Sequence, residues 1–103
     1  MGEEFKDEHE RAEFLLAVLL NREEAVELRN SAAVYLGHFD SEKALNSLIE
    51  FACNDLENER LLISCGDAIA EIWDRNHDFD INVVLSQVAI PTKDEIKSRL
   101  ASR

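Results

Sequence analysis

Chain breakers are scarce in this sequence. It has three glycines and one proline among 103 residues, each near the end of a helical pattern or inside an apolar helix stripe. That scarcity favours long helices joined by short turns. Long apolar runs are missing too. The longest, Phe14 to Leu20, is far too short to span a bilayer. Cysteine is limited to Cys53 and Cys65, which lack metal-ligand spacing and fall inside helical patterns. Buried free thiols in a reducing cytoplasm are expected; spacing alone neither makes nor forbids a bridge between them. The opening Met1-Gly2-Glu3-Glu4 is acidic where a secretory signal would be basic, and Lys6 stands where myristoylation wants Ser or Thr. Positive charge is also in short supply. Eleven basic residues face 22 acidic ones, a net charge of −11. Such a surface repels phosphate backbones and anionic membranes and steers cationic partners towards itself.

What is present is a single globular domain, residues 1–103. Hydrophobic residues make up 46% and charged residues 32%, enough apolar content for a core without staples. The stretch from Val26 to Val88 repeats itself. Shifted by 36 residues, Ala32, Leu36, Leu45, Leu48, Ile49 and Ala52 fall on Ala68, Ile72, Ile81, Val84, Leu85 and Val88. A repeat of that length made of two helical segments predicts stacked helical hairpins.

Periodicity predicts six helices, an all-α fold. The first spans Glu4 to Leu20, with Phe14, Leu15, Val18 and Leu19 as its core stripe. Asn21 with Glu24 reads as a capping box for the second helix, Arg22 to Gly37. This helix lines up Val26, Arg29, Ala32, Ala33 and Leu36, and Gly37 is expected to close it in the left-handed conformation. Asp40 or Ser41 caps the third helix, whose core side is Leu45, Leu48, Ile49 and Ala52. The fourth, Asn58 to Arg75, carries two adjacent apolar stripes: Leu61, Cys65, Ala68 and Ile72, then Leu62, Gly66, Ile69 and Trp73. It should be contacted on more than one side, with close packing at Gly66, beside Trp73, offsetting the cost of a glycine in mid-helix. The fifth runs from Phe79 to Ala89 and is stopped by Pro91. Thr92 with Glu95 then forms a second capping box, opening a short final helix anchored by Ile96 and Leu100. Phe79, Val83 and Ile90 make an extra apolar stripe on the fifth helix, either a seat for the final helix, the preferred reading, or a partner patch.

The order Val26, Arg29, Ala32, Ala33, Leu36, Gly37 resembles HEAT-like repeats, in particular short bacterial members related to the phycobilisome-lyase type. The second copy departs from that pattern at Cys65, where Arg is expected, and at Trp73, where Gly is expected. The resemblance implies a right-handed α-α superhelix with the second helix of each hairpin on the concave side, and a protein-binding role. Some bacterial relatives act on bilin chromophores, but no residue here carries that activity over. Fold alone does not fix function. In physical type, small, acidic and without a catalytic constellation, the chain also resembles bacterial immunity proteins, including those of contact-dependent growth inhibition systems, which cover the active site of a basic toxin.

The search for chemistry turns up no site. His9, His38 and His77 are scattered, and no serine or cysteine has an evident base partner. The expectation is a binding protein, not an enzyme, with no cofactor and no metal. The expected partner is a cationic protein, most concretely a nuclease toxin, with a generic adaptor, or a fragment of a longer solenoid, as the alternative. Its expected contacts are Glu13, Asn46, Glu50, Asp55, Glu57, Asp78, Asp80 and Asn82, joined by Tyr35 and by Trp73, the latter either a plug between repeats or an interface anchor. Both ends of such a stack expose apolar edges, and the final helix is a thin cap, so self-association stays open.

Overall fold

The computed structural model describes residues 8–102. Among these, all regular structure is helical: α1 Glu8–Leu20, α2 Val26–Leu36, α3 Glu42–Ala52, α4 Glu59–Asn76, α5 Ile81–Gln87 and α6 Ile90–Ala101. The expected start of the first helix at Glu4 lies outside the described residues. No helix among them is long and apolar enough to cross a membrane.

The helices form two rows. Arg22 pairs with Glu57, and Lys43 with Glu13, so α1 and α3 run side by side in the same direction. The Ala89 amide donates to the Ala52 carbonyl at 2.8 Å, placing the end of α5 beside the end of α3. In the other row, Ser64 donates to Asn30, Glu71 faces His38, and Arg75 reaches Gly37, so α2 and α4 are parallel. α6 continues this row: Thr92 meets Leu62, and Arg99 meets Asp67. The smallest extent of the molecule, 21 Å, equals about two helix diameters.

The core lies between the rows. All six residue pairs of the 36-residue repeat are buried or packed against that core. The double stripe of α4 is buried from Leu61 to Ile72, because α4 is covered by α2, α3 and α6 at once. In α1 the buried residues are Ala12, Leu16 and Leu19, while Phe14 is half exposed. The stripe read from the sequence was thus rotated: Leu15 and Val18 lie at its edge, and α1 turns Leu16 inward instead.

Several caps differ from expectation. Ser41 does cap α3, accepting from the Ala44 amide at 3.1 Å. Asn58 caps α4, accepting from the Arg60 amide at 2.9 Å. Asn21 caps nothing: its side chain accepts from Glu23 in a turn, and α2 begins four residues after the predicted start. Thr92 is no cap either. It sits inside α6, fully buried, and its hydroxyl donates to the Leu62 carbonyl at 2.7 Å. Pro91 falls in the first turn of α6, where proline's missing N–H is no loss. Hence α5 is shorter than predicted and ends at Gln87 through an extended Val88.

Gly37 is not left-handed; its φ is −66°. It is glycine because the chain passes too close to α4: an added Cβ would lie 2.9 Å from the Ala68 Cα. The end of α2 is closed by Arg75, which donates to the Gly37 carbonyl at 3.0 Å, the Phe39 carbonyl at 3.2 Å and the Asp40 carboxylate at 3.0 Å. The left-handed residue is His77, φ 53°, which closes α4. Arg75→Ala orphans two carbonyls and frees Asp40. It should lower stability by about 2 kcal/mol, seen as a lower urea midpoint, and Arg75→Lys should recover little because a lysine cannot reproduce the fork.

The two thiols differ, against the expectation that both are buried. Cys53 is the exposed residue after α3, whereas Cys65 is fully buried on α4; neither is in a disulfide. Partial burial, with the Glu50 and Asp55 carboxylates nearby, pushes the Cys53 thiol up; burial pushes Cys65 up to about 12. A thiol-specific reagent should therefore modify one cysteine in the native chain, more slowly than free cysteine, and the second only on unfolding. The stabilisation from a neutral Cys65 is complete below its ordinary value of 9.0 and is lost as pH climbs towards about 12. The stability gap between the natural chain and Cys65→Ala should narrow across that window.

Candidate functional site

Where the first turn of α3 faces the end of α4, the rows leave a groove. Asp40, Ser41, Glu42, Leu45 and Asn46 form one wall; Asn76, Asp78 and Phe79 form the other; Ile72 lies at the base. Its volume is about 370 Å³. The apolar floor, Leu45, Ile72 and Phe79, belongs to the edge of the core. The rim is acidic, with Asp40, Glu42 and Asp78, and no basic residue lines the groove.

Each wall is held by bonds that the sequence makes obligatory. Ser41 turns the chain into α3 and places Glu42 and Asn46 on its open side. Asp40 is held by Arg75 at 2.9 Å. Opposite, the Trp73 indole N–H donates to the Phe79 carbonyl at 3.0 Å, and the Trp73 ring lies 3.9 Å from that of His77. The Asp78 amide donates to the Asn76 side chain at 3.2 Å. Trp73 is half buried and packs on the core, so its position is that of a plug which fixes the turn bearing Asp78 and Phe79. Asp40 is partly neutralised by Arg75, but the ion pairs of the described residues include neither Glu42 nor Asp78. Their charge is left facing the groove.

A neighbouring depression of about 420 Å³ shares Asp40, Ser41 and Glu42 and adds Glu8, His9, Phe39 and Lys43. Here Lys43 adds a positive charge, though the carboxylates Glu8, Asp40 and Glu42 still outnumber it. Lys43 pairs with Glu13 at 2.8 Å, and this ammonium holds the Glu13 carboxyl below the usual carboxylate range. A third hollow, of about 390 Å³, is formed by Glu71, Asp74, Arg75 and Arg99, with both signs present.

The residues expected to touch a partner are spread over separate regions. Asn46 and Asp78 line the groove. Asp80 and Asn82 stand beyond its far wall at the start of α5, where the Asp80 carboxylate accepts from the Asn82 amide at 2.9 Å. Trp73 supports that wall from behind. Glu13 ties α1 to α3 and also faces His9 at 3.4 Å. Glu50, Asp55 and Glu57 sit towards the other end of α3. There Glu57 is engaged by Arg22 and its side chain is only 4% exposed. Tyr35 is exposed on α2, its ring 6.1 Å from that of His38.

Sequence reasoning missed Asp40, Glu42, Leu45, Ile72, Asn76 and Phe79 as parts of one surface. A signal was present: the dipeptide Phe-Asp precedes both α3, as Phe39-Asp40, and α5, as Phe79-Asp80. Paired entry turns on parallel helices come to lie side by side. The apolar stripe Phe79, Val83 and Ile90 is also resolved. Phe79 packs on the core, but Val83 and Ile90 remain 50% and 68% exposed. The final helix docks on α4 rather than on this stripe, because Gly66 offers the closer seat. Gly66 therefore packs against α6, not beside Trp73.

No group of three or more His, Cys, Asp or Glu side chains among the described residues is arranged to hold a metal ion. The described residues thus form an all-α fold of six helices in two rows, with an acidic groove at one end of the rows. Comparison with protein-family models, with curated proteins and with solved structures finds no match.

Proposed function

We propose that the chain is a protein-binding module that captures a cationic protein, and more specifically an immunity protein that covers the active site of a basic toxin, a nuclease being the best-fitting kind. One observation carries the reading: an apolar-floored groove with a rim of three carboxylates, two of them without a cation, on a chain of net charge −11. Interfaces pair an apolar centre with complementary charge, which speeds association and rejects wrong partners. A nuclease is basic because it binds phosphates, so an acidic cover is its electrostatic complement. The parallel order of α2, α4 and α6, together with the shared burial of the 36-residue repeat, supports a HEAT-like hairpin array as the scaffold.

The test is a titration against the protein encoded directly before this chain. It should bind, and affinity should fall as salt is raised. Reversing Glu42 and Asp78 to lysine should weaken it by about a hundredfold, as loss of two charge contacts at a desolvated rim does. Affinity that is flat with salt and indifferent to both reversals would rule out the electrostatic mechanism. The second reading, an adaptor or part of a longer helical stack, draws on exposed Val83 and Ile90 at the α5–α6 end, where another hairpin could pack. It expects no neighbouring toxin gene.

A further inference from the structure

We infer that the groove is a clamp for one short segment of the partner, a single arginine or lysine flanked by an apolar residue. This deepens the protein-binding reading and rests on it. Two of its surfaces make different demands. The rim carboxylates Glu42 and Asp78 line the groove from α3 and from the α4–α5 turn, so a cationic head seated there meets the charge of both. The floor of Leu45, Ile72 and Phe79 has no charge to offer and suits the aliphatic stem of that side chain together with an apolar neighbour. The volume of about 370 Å³ exceeds that of one side chain. Asn46 and Asn76, one on each wall, supply amide groups for the backbone of the bound segment. Asp40 is the outer acid and is already shared with Arg75, so it adds to the field while Glu42 and Asp78 make the contact. The alternative acidic regions lack this combination. Glu13 is paired with Lys43 and Glu57 with Arg22, while Glu50 and Asp55, outside the ion pairs of the described residues, line none of the three hollows.

The clamp can be read with the full chain and a blocked Leu-Arg-Leu tripeptide, followed by amide chemical shifts. Saturable shifts should be confined to the groove: Glu42, Leu45, Asn46, Ile72, Asn76, Asp78 and Phe79. The isosteric changes Glu42→Gln and Asp78→Asn should together weaken the tripeptide at least about tenfold, and neither should disturb folding because both side chains are exposed. Leu-Gln-Leu and Gly-Arg-Gly should each bind more weakly by a similar factor, the first for lack of charge, the second for lack of apolar contact. Poly-lysine serves as the probe of bulk charge. It should bind by the whole acidic surface and lose less than about threefold in the same double variant, since the counterion effect is shared over many charges. If poly-lysine binds but the tripeptide does not, or if Gly-Arg-Gly binds as well as Leu-Arg-Leu, the clamp is wrong while the electrostatic reading survives. If neither probe binds, both fall. Shifts spread equally over Asp55, Glu57 and the groove would also overturn the clamp.

Discussion

Gly66→Ala should destabilise the protein by about 2–3 kcal/mol, although in a helix interior alanine is worth about 1 kcal/mol more than glycine. An added Cβ would stand 2.8 Å from the Thr92 carbonyl oxygen and 3.0 Å from the Glu95 Cβ. The first of these is backbone, which no rotamer change can move aside. α6 must lift away from α4, and two buried features lift with it: the Thr92 hydroxyl bond to the Leu62 carbonyl, and Ile96, which is fully buried. On a domain of this size the melting temperature should fall by roughly 10–20 °C. Hydrogen exchange distinguishes the mechanism from general unfolding. Protection should drop first and furthest in α6, while α2 and α4 keep theirs. No residue of α6 lines the groove, so tripeptide binding should survive at temperatures where the variant is folded. A variant as stable as the natural chain would show that α6 has room to move, and that the glycine is there for another reason.

Gly66 also shows what can be read from the sequence and what cannot. A glycine in the helix with two adjacent apolar stripes marks a close approach, and that much was legible. Its neighbour was not, because periodicity reports which face is buried without saying by what. Trp73, two turns along the same stripe, is the largest side chain on that face, whereas the partner is α6, some 30 residues on. The same limit explains Gly37. A glycine after the last apolar residue of a helix most often takes the left-handed conformation. Here Arg75, from the next parallel helix, supplies the donors that such a turn would otherwise provide. Of the caps built from local bonds, Ser41 reads as one from the sequence, whereas Asn58 reads as the first residue of its helix. Ends closed by distant arginines are not legible there.

The core was more legible than the site for a physical reason. Burial repeats with the helix, so six residues of one copy predict six of the next. The groove is made by the ends of elements: the entry to α3, the exit from α4 and the turn before α5. The 36-residue shift does carry Glu42 onto Asp78, but the repeat is recognised by its buried apolar positions, and these two are exposed acids in an acidic chain. Asn46 and Asp78 were found through charge and polarity alone, and the same criterion drew in Glu13 and Glu57, acids that the fold neutralises with Lys43 and Arg22. In an acidic chain, an informative carboxylate is one without a cation, and that is decided by tertiary structure.

Cys65→Arg should be among the most damaging single changes, with a loss of about 3–5 kcal/mol, the scale of a buried charge left uncompensated. The 36-residue repeat places Cys65 where the first copy has Arg29, so repeat logic alone would call the change restorative. Arg29 is buried because it has something to hold: its Nε donates to the Leu19 carbonyl at 2.8 Å, one residue before the end of α1. The position corresponding to Leu19 is Asp55, beyond the end of α3, which stops at Ala52. The Ala52 carbonyl is already accepting from Ala89. An arginine at 65 thus enters a fully buried position with no helix end to bind. One nearby carboxylate can partly relieve it. Glu57 is close enough to push the Cys65 thiol up, but Arg22 holds it. Adding Arg22→Ala to Cys65→Arg should therefore recover part of the loss, a coupling visible in a double-mutant cycle of urea midpoints. Cys65→Val, which keeps the site apolar, should cost less than about 1.5 kcal/mol. If Cys65→Arg alone were as stable as the natural chain, α3 would have to extend by a turn to meet it. The two copies would then be interchangeable, and the earlier end of α3 would not be what set arginine in the first and cysteine in the second.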